Sequence, residues 1–101
     1  MYNVRAMGKV HVKFLTAFKE IAKRDSADID IEEDETVEKL LDHLCDQFGE
    51  EIRKLIFRRN GSAAGNLVIF VNGRNILTLN GLKTRLNDGD YLILSTPVVG
   101  G

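Results

Sequence analysis

Apolar and polar residues alternate from Val10 through Val12 to Phe14, with His11 and Lys13 on the opposite phase. A period of two predicts a strand with one buried face. Leu15, Phe18, Ile21 and Ala22 then recur at spacings of three and four, which predicts a short helical turn before the polar run Lys23-Arg24-Asp25-Ser26. Ile29 and Ile31 return to alternation against Asp28, Asp30 and Glu32, so a second half-wet strand is expected beside the first.

Val37, Leu40, Leu41, Leu44, Cys45 and Phe48 make one apolar helical stripe, with Glu38, Asp42, Asp46 and Gln47 facing away. Thr36 suits the N-cap of this main helix and Gly49 a left-handed stop. Ile52, Leu55 and Ile56 predict a shorter helix to about Phe57. The small residues from Asn60 to Asn66 have nothing to bury and read as a mobile surface loop; they lack the Lys-Ser/Thr ending that a phosphate loop requires. Leu67 to Val71 is β-rich, and Asn72-Gly73 supplies the two positive-φ positions of a type I′ turn into a partner strand over Arg74 to Leu77. Turns follow at Asn80-Gly81 and Asn87 to Asp90, and Tyr91 to Leu94 forms the last strand. This order predicts an α+β domain, with one main helix laid across one face of a mixed sheet.

At 101 residues there is room for one domain and little interior for a deep cofactor pocket, so an enzyme with its own complete active site is disfavoured. The chain divides into 1–8 as a flexible N-terminal extension, 9–95 as the folded domain and 96–101 as a flexible C-terminal tail. No apolar run approaches the ~20 residues of a membrane span and the N-terminus has no secretory pattern, so a cytoplasmic protein is expected, with no membrane partner. The near-neutral balance hides a segregation of charge. Residues 1–19 hold four Lys/Arg and no acid, residues 20–51 thirteen acids against three bases, and residues 52–101 seven bases against two acids. Such a distribution points to an acidic face that steers a basic protein partner, and away from nucleic acid.

Conventional chemistry is sparse. His43 and Cys45 are two apart on the main helix and diverge, so no metal site is expected. Cys45 lies on the apolar stripe and reads as a small buried hydrophobe; His11 reads as an outward strand residue, and Arg58-Arg59 as a solvated helix end. The unusual feature is the terminus Ser95-Thr96-Pro97-Val98-Val99-Gly100-Gly101. Pro97, the sole proline, removes a ladder donor and takes the chain out of the sheet. The residues from Thr96 onward reach roughly 20 Å. Gly100 and Gly101, lacking Cβ atoms, can thread a narrow channel and set a free α-carboxylate against a partner's reactive centre.

Leu86-Asn87-Asp88-Gly89-Asp90, a strand, and then Pro97-Val98-Val99-Gly100-Gly101 resemble the closing signature of the ubiquitin-like sulfur carriers, above all the molybdopterin synthase small subunit, with small archaeal modifiers as relatives. Val71-Asn72-Gly73-Arg74 resembles their upstream hairpin, and the likeness spans about Lys9 to Gly101. Family members often carry two prolines and aromatics before the tail, where this chain has Leu94-Ser95-Thr96-Pro97. The resemblance implies a β-grasp fold with the first and last strands parallel in mid-sheet. It also implies a carrier, not an enzyme, that binds no cofactor. An E1-like adenylating enzyme would use ATP to activate Gly101, and sulfur transfer would leave a thiocarboxylate for a molybdopterin synthase large subunit. The alternative is a modifier joined through Gly101 to target-protein lysines; a third reading is a plain interaction domain whose Gly-Gly goes unused. Docking is expected on the sheet face left open by the helix. If Leu92 and Leu94 point inward, Val68, Phe70, Tyr91 and Ile93 form an outward apolar patch, and Pro97, Val98 and Val99 continue the contact along the tail.

Overall fold

Val10, Val12 and Phe14 are fully buried while Lys9, His11 and Lys13 are exposed, so the alternation near the start becomes a strand with one dry face. The computed structural model describes residues 8–65 and 67–96. In chain order these form β1 (Gly8–Phe14), α1 (Ala17–Ala22), β2 (Ser26–Ile31), α2 (Val37–Phe48), α3 (Glu50–Ile56), β3 (Val68–Val71), β4 (Arg74–Asn75), 3₁₀ turns at Ile76–Thr78 and Gly81–Lys83, and β5 (Tyr91–Ser95). The strands make one mixed sheet ordered β2-β1-β5-β3-β4, with β1 and β5 parallel and every other pair antiparallel. This is the β-grasp arrangement. Residues 1–7 and 97–101, which hold most of the expected extension and tail, lie outside the described residues, whereas Gly8 already pairs with Ile31 in β1.

The helices cover one side of this sheet. Thr36 Oγ1 accepts the Lys39 N–H at 3.3 Å, capping α2 as its sequence predicts. Val37, Leu40, Leu41, Leu44 and Cys45 then point into a core shared with Phe14, Phe18, Ile31, Ile52, Ile56, Ile69, Leu92 and Leu94. Burial pushes the Cys45 thiol up, so it packs as a neutral group.

Several expectations change. Gly49 stops α2, but at φ 95° and ψ −166°, an extended region open only to glycine, because the same residue must also begin α3. The strand expected over Arg74 to Leu77 ends at Asn75. Its side-chain oxygen accepts the Leu77 N–H at 2.9 Å and opens a 3₁₀ turn that buries Ile76 and exposes Leu77. The segment after α3 is a surface loop, as expected, and carries its own hydrogen bonds: Arg58 N–H donates to Ser62 O at 2.7 Å, Asn60 Oδ1 accepts the Ser62 N–H at 3.0 Å, and Ala64 N–H donates to Ile56 O at 2.8 Å. Finally, Glu35, in the middle of the acidic run, is only 1% exposed. Its Oε1 accepts the Glu32 N–H at 3.3 Å; its Oε2 lies 3.1 Å from His43 Nδ1, in ion-pair range but without hydrogen-bond geometry.

Two tests follow from this packing. A Cβ on Gly49 would meet nothing within 4 Å, so the cost of replacing it is purely conformational. Gly49→Ala is expected to lower the unfolding free energy by about 1–3 kcal/mol, and Gly49→Ser by the same amount, in urea titrations. Cys45 in the native protein should react with iodoacetamide at pH 8 at least about 100-fold more slowly than in the urea-unfolded chain. Because its folded pKa is raised, the stability tied to this thiol is intact below the ordinary thiol value of about 8.5 and is lost as pH rises past it, which alkaline denaturation will read.

Candidate functional site

β5 precedes the Gly-Gly segment singled out in the sequence, so the candidate site is built from that strand outward. Leu92 and Leu94 are fully buried under the helices, which turns Tyr91 and Ile93 to the open face. Cross-strand register decides their neighbours. Ile93 stands opposite Phe70 of β3 and Lys13 of β1, Ser95 opposite Val68, and Tyr91 opposite His11. Residues directly opposite share a face. Val68, Phe70, Ile93 and Tyr91 therefore form one apolar strip across the middle of the sheet, with Lys13 and His11 along its edge. Val68, Phe70 and Ile93 are half-buried and Tyr91 is 37% exposed.

Polar groups lock the end of this strip nearest the β3–β4 hairpin. The His11 ring stacks on Tyr91 at 5.2 Å with planes 13° apart, and its Nδ1 lies 2.7 Å from Asp28 Oδ1. Asn72, at φ 51° in the hairpin turn with Gly73 at 83°, adopts the positive-φ pair expected of type I′. Beyond turning the chain, Asn72 reaches across to β5: its Oδ1 accepts the Tyr91 N–H at 2.9 Å and its Nδ2 donates to Asp90 Oδ1 at 3.0 Å. Sequence marks this asparagine only as a turn residue, because the strand it pins is nineteen positions away.

The acids of residues 20–51 are spread over more than one side of the fold. Asp28 and Asp30 lie on the open sheet side with His11 and Lys9, whereas Asp42 and Asp46 lie outward on α2. Bases from the two positive segments meet them one by one: Lys9 with Asp30, Lys19 with Asp25, Lys83 with Glu38 and Arg85 with Asp34. The Asp30 hydrogen bond holds the Lys9 ammonium above its ordinary pKa, and the Lys19 hydrogen bond holds Asp25 below its own. Folding thus sets part of the acidic segment against bases from the flanking segments.

Among the described residues no group of three or more His, Cys, Asp or Glu is gathered as for a metal ion. A groove of about 700 Å³ on the helical side is lined by Asp42, Glu50, Arg53, Lys54, Phe57 and the Arg58-Arg59 pair, mixed in charge and away from the β5 strip. Ser95 ends β5 and Thr96 is the last described residue. The expectations for Pro97, Val98, Val99, Gly100 and Gly101 lie outside the described residues.

This architecture has close counterparts. The chain is 28% identical over 93 residues to small archaeal modifier protein 3 of Haloferax volcanii, covering 92% of this chain and 99% of that one. It is 32% identical over 81 residues to a protein of Archaeoglobus fulgidus named as a sulfur carrier, covering 79% and 91%. The solution structure of small archaeal modifier protein 1 from Methanosarcina acetivorans matches with a TM-score of 0.82 at 30% identity, over 94% of this chain and 98% of that one. The model of the ThiS family matches residues 12–101, from the middle of β1 to the terminal glycine. With that match covering most of the β-grasp sheet and running through Gly100-Gly101, the chain belongs to the ThiS family.

Proposed function

We propose that the protein is a sulfur carrier whose reactive atom is the Gly101 carboxylate, activated by an E1-like adenylating enzyme. The observation that carries this reading is the combination of a Gly-Gly terminus with a family match that runs to its last residue. In the first step a carboxylate oxygen bonds to the α-phosphorus of ATP and pyrophosphate leaves. In the second, hydrosulfide or an equivalent sulfide donor attacks the acyl carbon and AMP leaves, giving the thiocarboxylate. Neither step changes a net oxidation state. The sulfur is then delivered to the molybdopterin synthase large subunit for molybdenum or tungsten cofactor synthesis, the destination that the Leu86-to-Asp90 and Pro97-to-Gly101 resemblance implies. The folded body contributes binding, through the Val68, Phe70, Tyr91 and Ile93 strip. Pro97, Val98 and Val99 extend that contact, and enclosure of Gly100 and Gly101 in the partner supplies proximity and keeps water from the activated acyl group.

The likeness to two small archaeal modifiers favours a second reading, in which a lysine amine of a target protein takes the place of sulfide and Gly101 ends in an isopeptide bond. Intact mass spectrometry separates the two. Incubation with an E1-like enzyme, ATP and sulfide should replace one oxygen of the terminal carboxylate by sulfur, whereas conjugation adds the mass of the whole chain less one water to the target, and trypsin then leaves the peptide from Leu86 to Gly101 on the target lysine. Removing Gly101, or adding a residue after it, should abolish either product while leaving thermal stability unchanged. A variant of this kind that still gained sulfur would defeat the mechanism. Phe70→Ser should weaken binding to the activating enzyme by about tenfold or more, measured by titration calorimetry; unchanged affinity would remove the strip from the interface.

A further inference from the structure

Where β1 gives way to α1, the backbone does something its residue should resist. Thr16 has φ 53° and ψ −132°, and the Phe18 N–H donates to the Leu15 carbonyl at 3.2 Å across it. Those are the angles and the bond of the first central position in a type II′ turn, where glycine is the expected residue. A β-branched side chain there is an outlier, and such strain persists where the surroundings hold it for a use.

The use is visible in the hydroxyl. Thr16 Oγ1 donates to the Leu15 carbonyl at 2.7 Å, accepts the Thr96 N–H at 3.0 Å and meets Thr96 Oγ1 at 2.9 Å. One donor and two lone pairs are thereby all engaged. The position matters as much as the count. The Leu15 N–H donates to the Leu94 carbonyl at 2.9 Å, extending the β1–β5 ladder by one bond. An unbroken parallel ladder would continue from the Thr96 N–H to the Leu15 carbonyl. The Thr16 hydroxyl stands between those two groups, as a bridging water would, but covalently fixed to the turn. Ser95 Oγ, 3.4 Å from the same oxygen, donates to the Thr96 carbonyl at 3.0 Å, so the residue before Pro97 is held at both its N–H and its carbonyl.

We propose that Thr16 is a positioning residue: its hydroxyl anchors Thr96 and thereby fixes the root from which the carboxyl-terminal segment is presented to an activating partner. This rests on the carrier reading for its consequence, though not for the anchor itself. A root already ordered before encounter spares the complex that ordering, so its loss raises KM without touching the chemical step.

Three full-length variants divide the possibilities. Thr16→Val keeps the shape and the strained angles but lacks the hydroxyl; Thr16→Gly relaxes the turn and lacks the hydroxyl; Thr16→Ser keeps it. Amide exchange at Thr96, followed by NMR, is expected to accelerate about tenfold in the Val and Gly variants and to stay near wild type in Ser. In adenylation assays the first two should show KM about five- to tenfold higher with kcat within about twofold, and Thr16→Ser should restore wild-type values. Thr16→Gly should at least retain the wild-type Tm, so it carries the test should the Val variant fold poorly. Wild-type Thr96 exchange in the hydroxyl-free variants, or exchange accelerated with KM unmoved, would overturn the proposal. A wild-type chain that is never adenylated would refute the carrier reading, while the exchange arm still decides the anchor.

Discussion

The pairing of the first strand with the last is the constraint from which the rest of the structure follows. Val12 lies opposite Leu92 and Phe14 opposite Leu94, and all four side chains are fully buried. Two strands from opposite ends of the chain can lie parallel in mid-sheet only if everything between them is wound onto one side or hung from the edges. Here α1, α2 and α3 fill the covered side, and β2 and the β3–β4 hairpin flank the pair. A slip of one residue in this register would send Leu92 and Leu94 to water and bring Tyr91 and Ile93 inward. The structure guards against that at the strand start. Asp88 Oδ1 accepts the Lys9 N–H at 2.9 Å, Gly89 N–H donates to Lys9 O at 2.8 Å, and His11 N–H donates to Asp90 O at 3.0 Å. Gly8 is part of the lock, since a Cβ there would come within 2.4 Å of the Asp88 side chain.

What could be read from sequence was what local periodicity encodes. β1, β2 and α2 each carry enough in-phase apolar residues to declare their type and buried face, and Asn72-Gly73 declares its turn because only a few residues tolerate positive φ in succession. The α+β class followed from the order of those elements, whereas the β-grasp fold and the parallel central pair came through the likeness to a known family. What escaped was set by partners distant in sequence or by competition between neighbours. Nothing in Glu32-Glu33-Asp34-Glu35 says which acid goes inside; Glu35 does so because its backbone carbonyl receives the Leu86 N–H and its side chain turns toward His43. Ile76-Leu77 has strand composition, yet Asn75 captures the Leu77 N–H before a ladder can. The phase of the open face was a choice between two sets of residues, and it became definite only once β5 had neighbours on both sides.

Charge behaves in the same way. A segment with thirteen acids looks like a surface in the making, but β2, the connection to α2 and α2 itself face different directions. Among the described residues five of these acids pair with Lys or Arg, and those bases, Lys9, Lys19, Arg53, Lys83 and Arg85, lie outside the acidic stretch. Most of these pairs are exposed and individually worth little stability. Their larger effect is on the field, which is broken into short-range dipoles and screened over about 8–10 Å in physiological salt. On the proposed carrier reading, recognition of a partner would then draw on shape and apolar area as well as on charge.

That conclusion bears on how a small body can serve a terminal group. The covered side of the sheet is committed to the core through Leu92 and Leu94, so β5 has only its open side to offer a partner, and the strip around Ile93 and Phe70 lies on the same strand that ends at Ser95. On the proposed reading, docking and delivery would be coupled by a single rigid element: a partner seated on the strip would find Ser95 to within the stiffness of a central strand. One further residue, Thr96, is tied by Thr16, and the next, Pro97, has no N–H with which to prolong the ladder. The boundary between the part that is recognised and the part that is handed over is therefore chemical, written in a hydroxyl and an imino acid. On the carrier reading, the length beyond it, five residues to Gly101, would set how far inside a partner the reactive group can be carried.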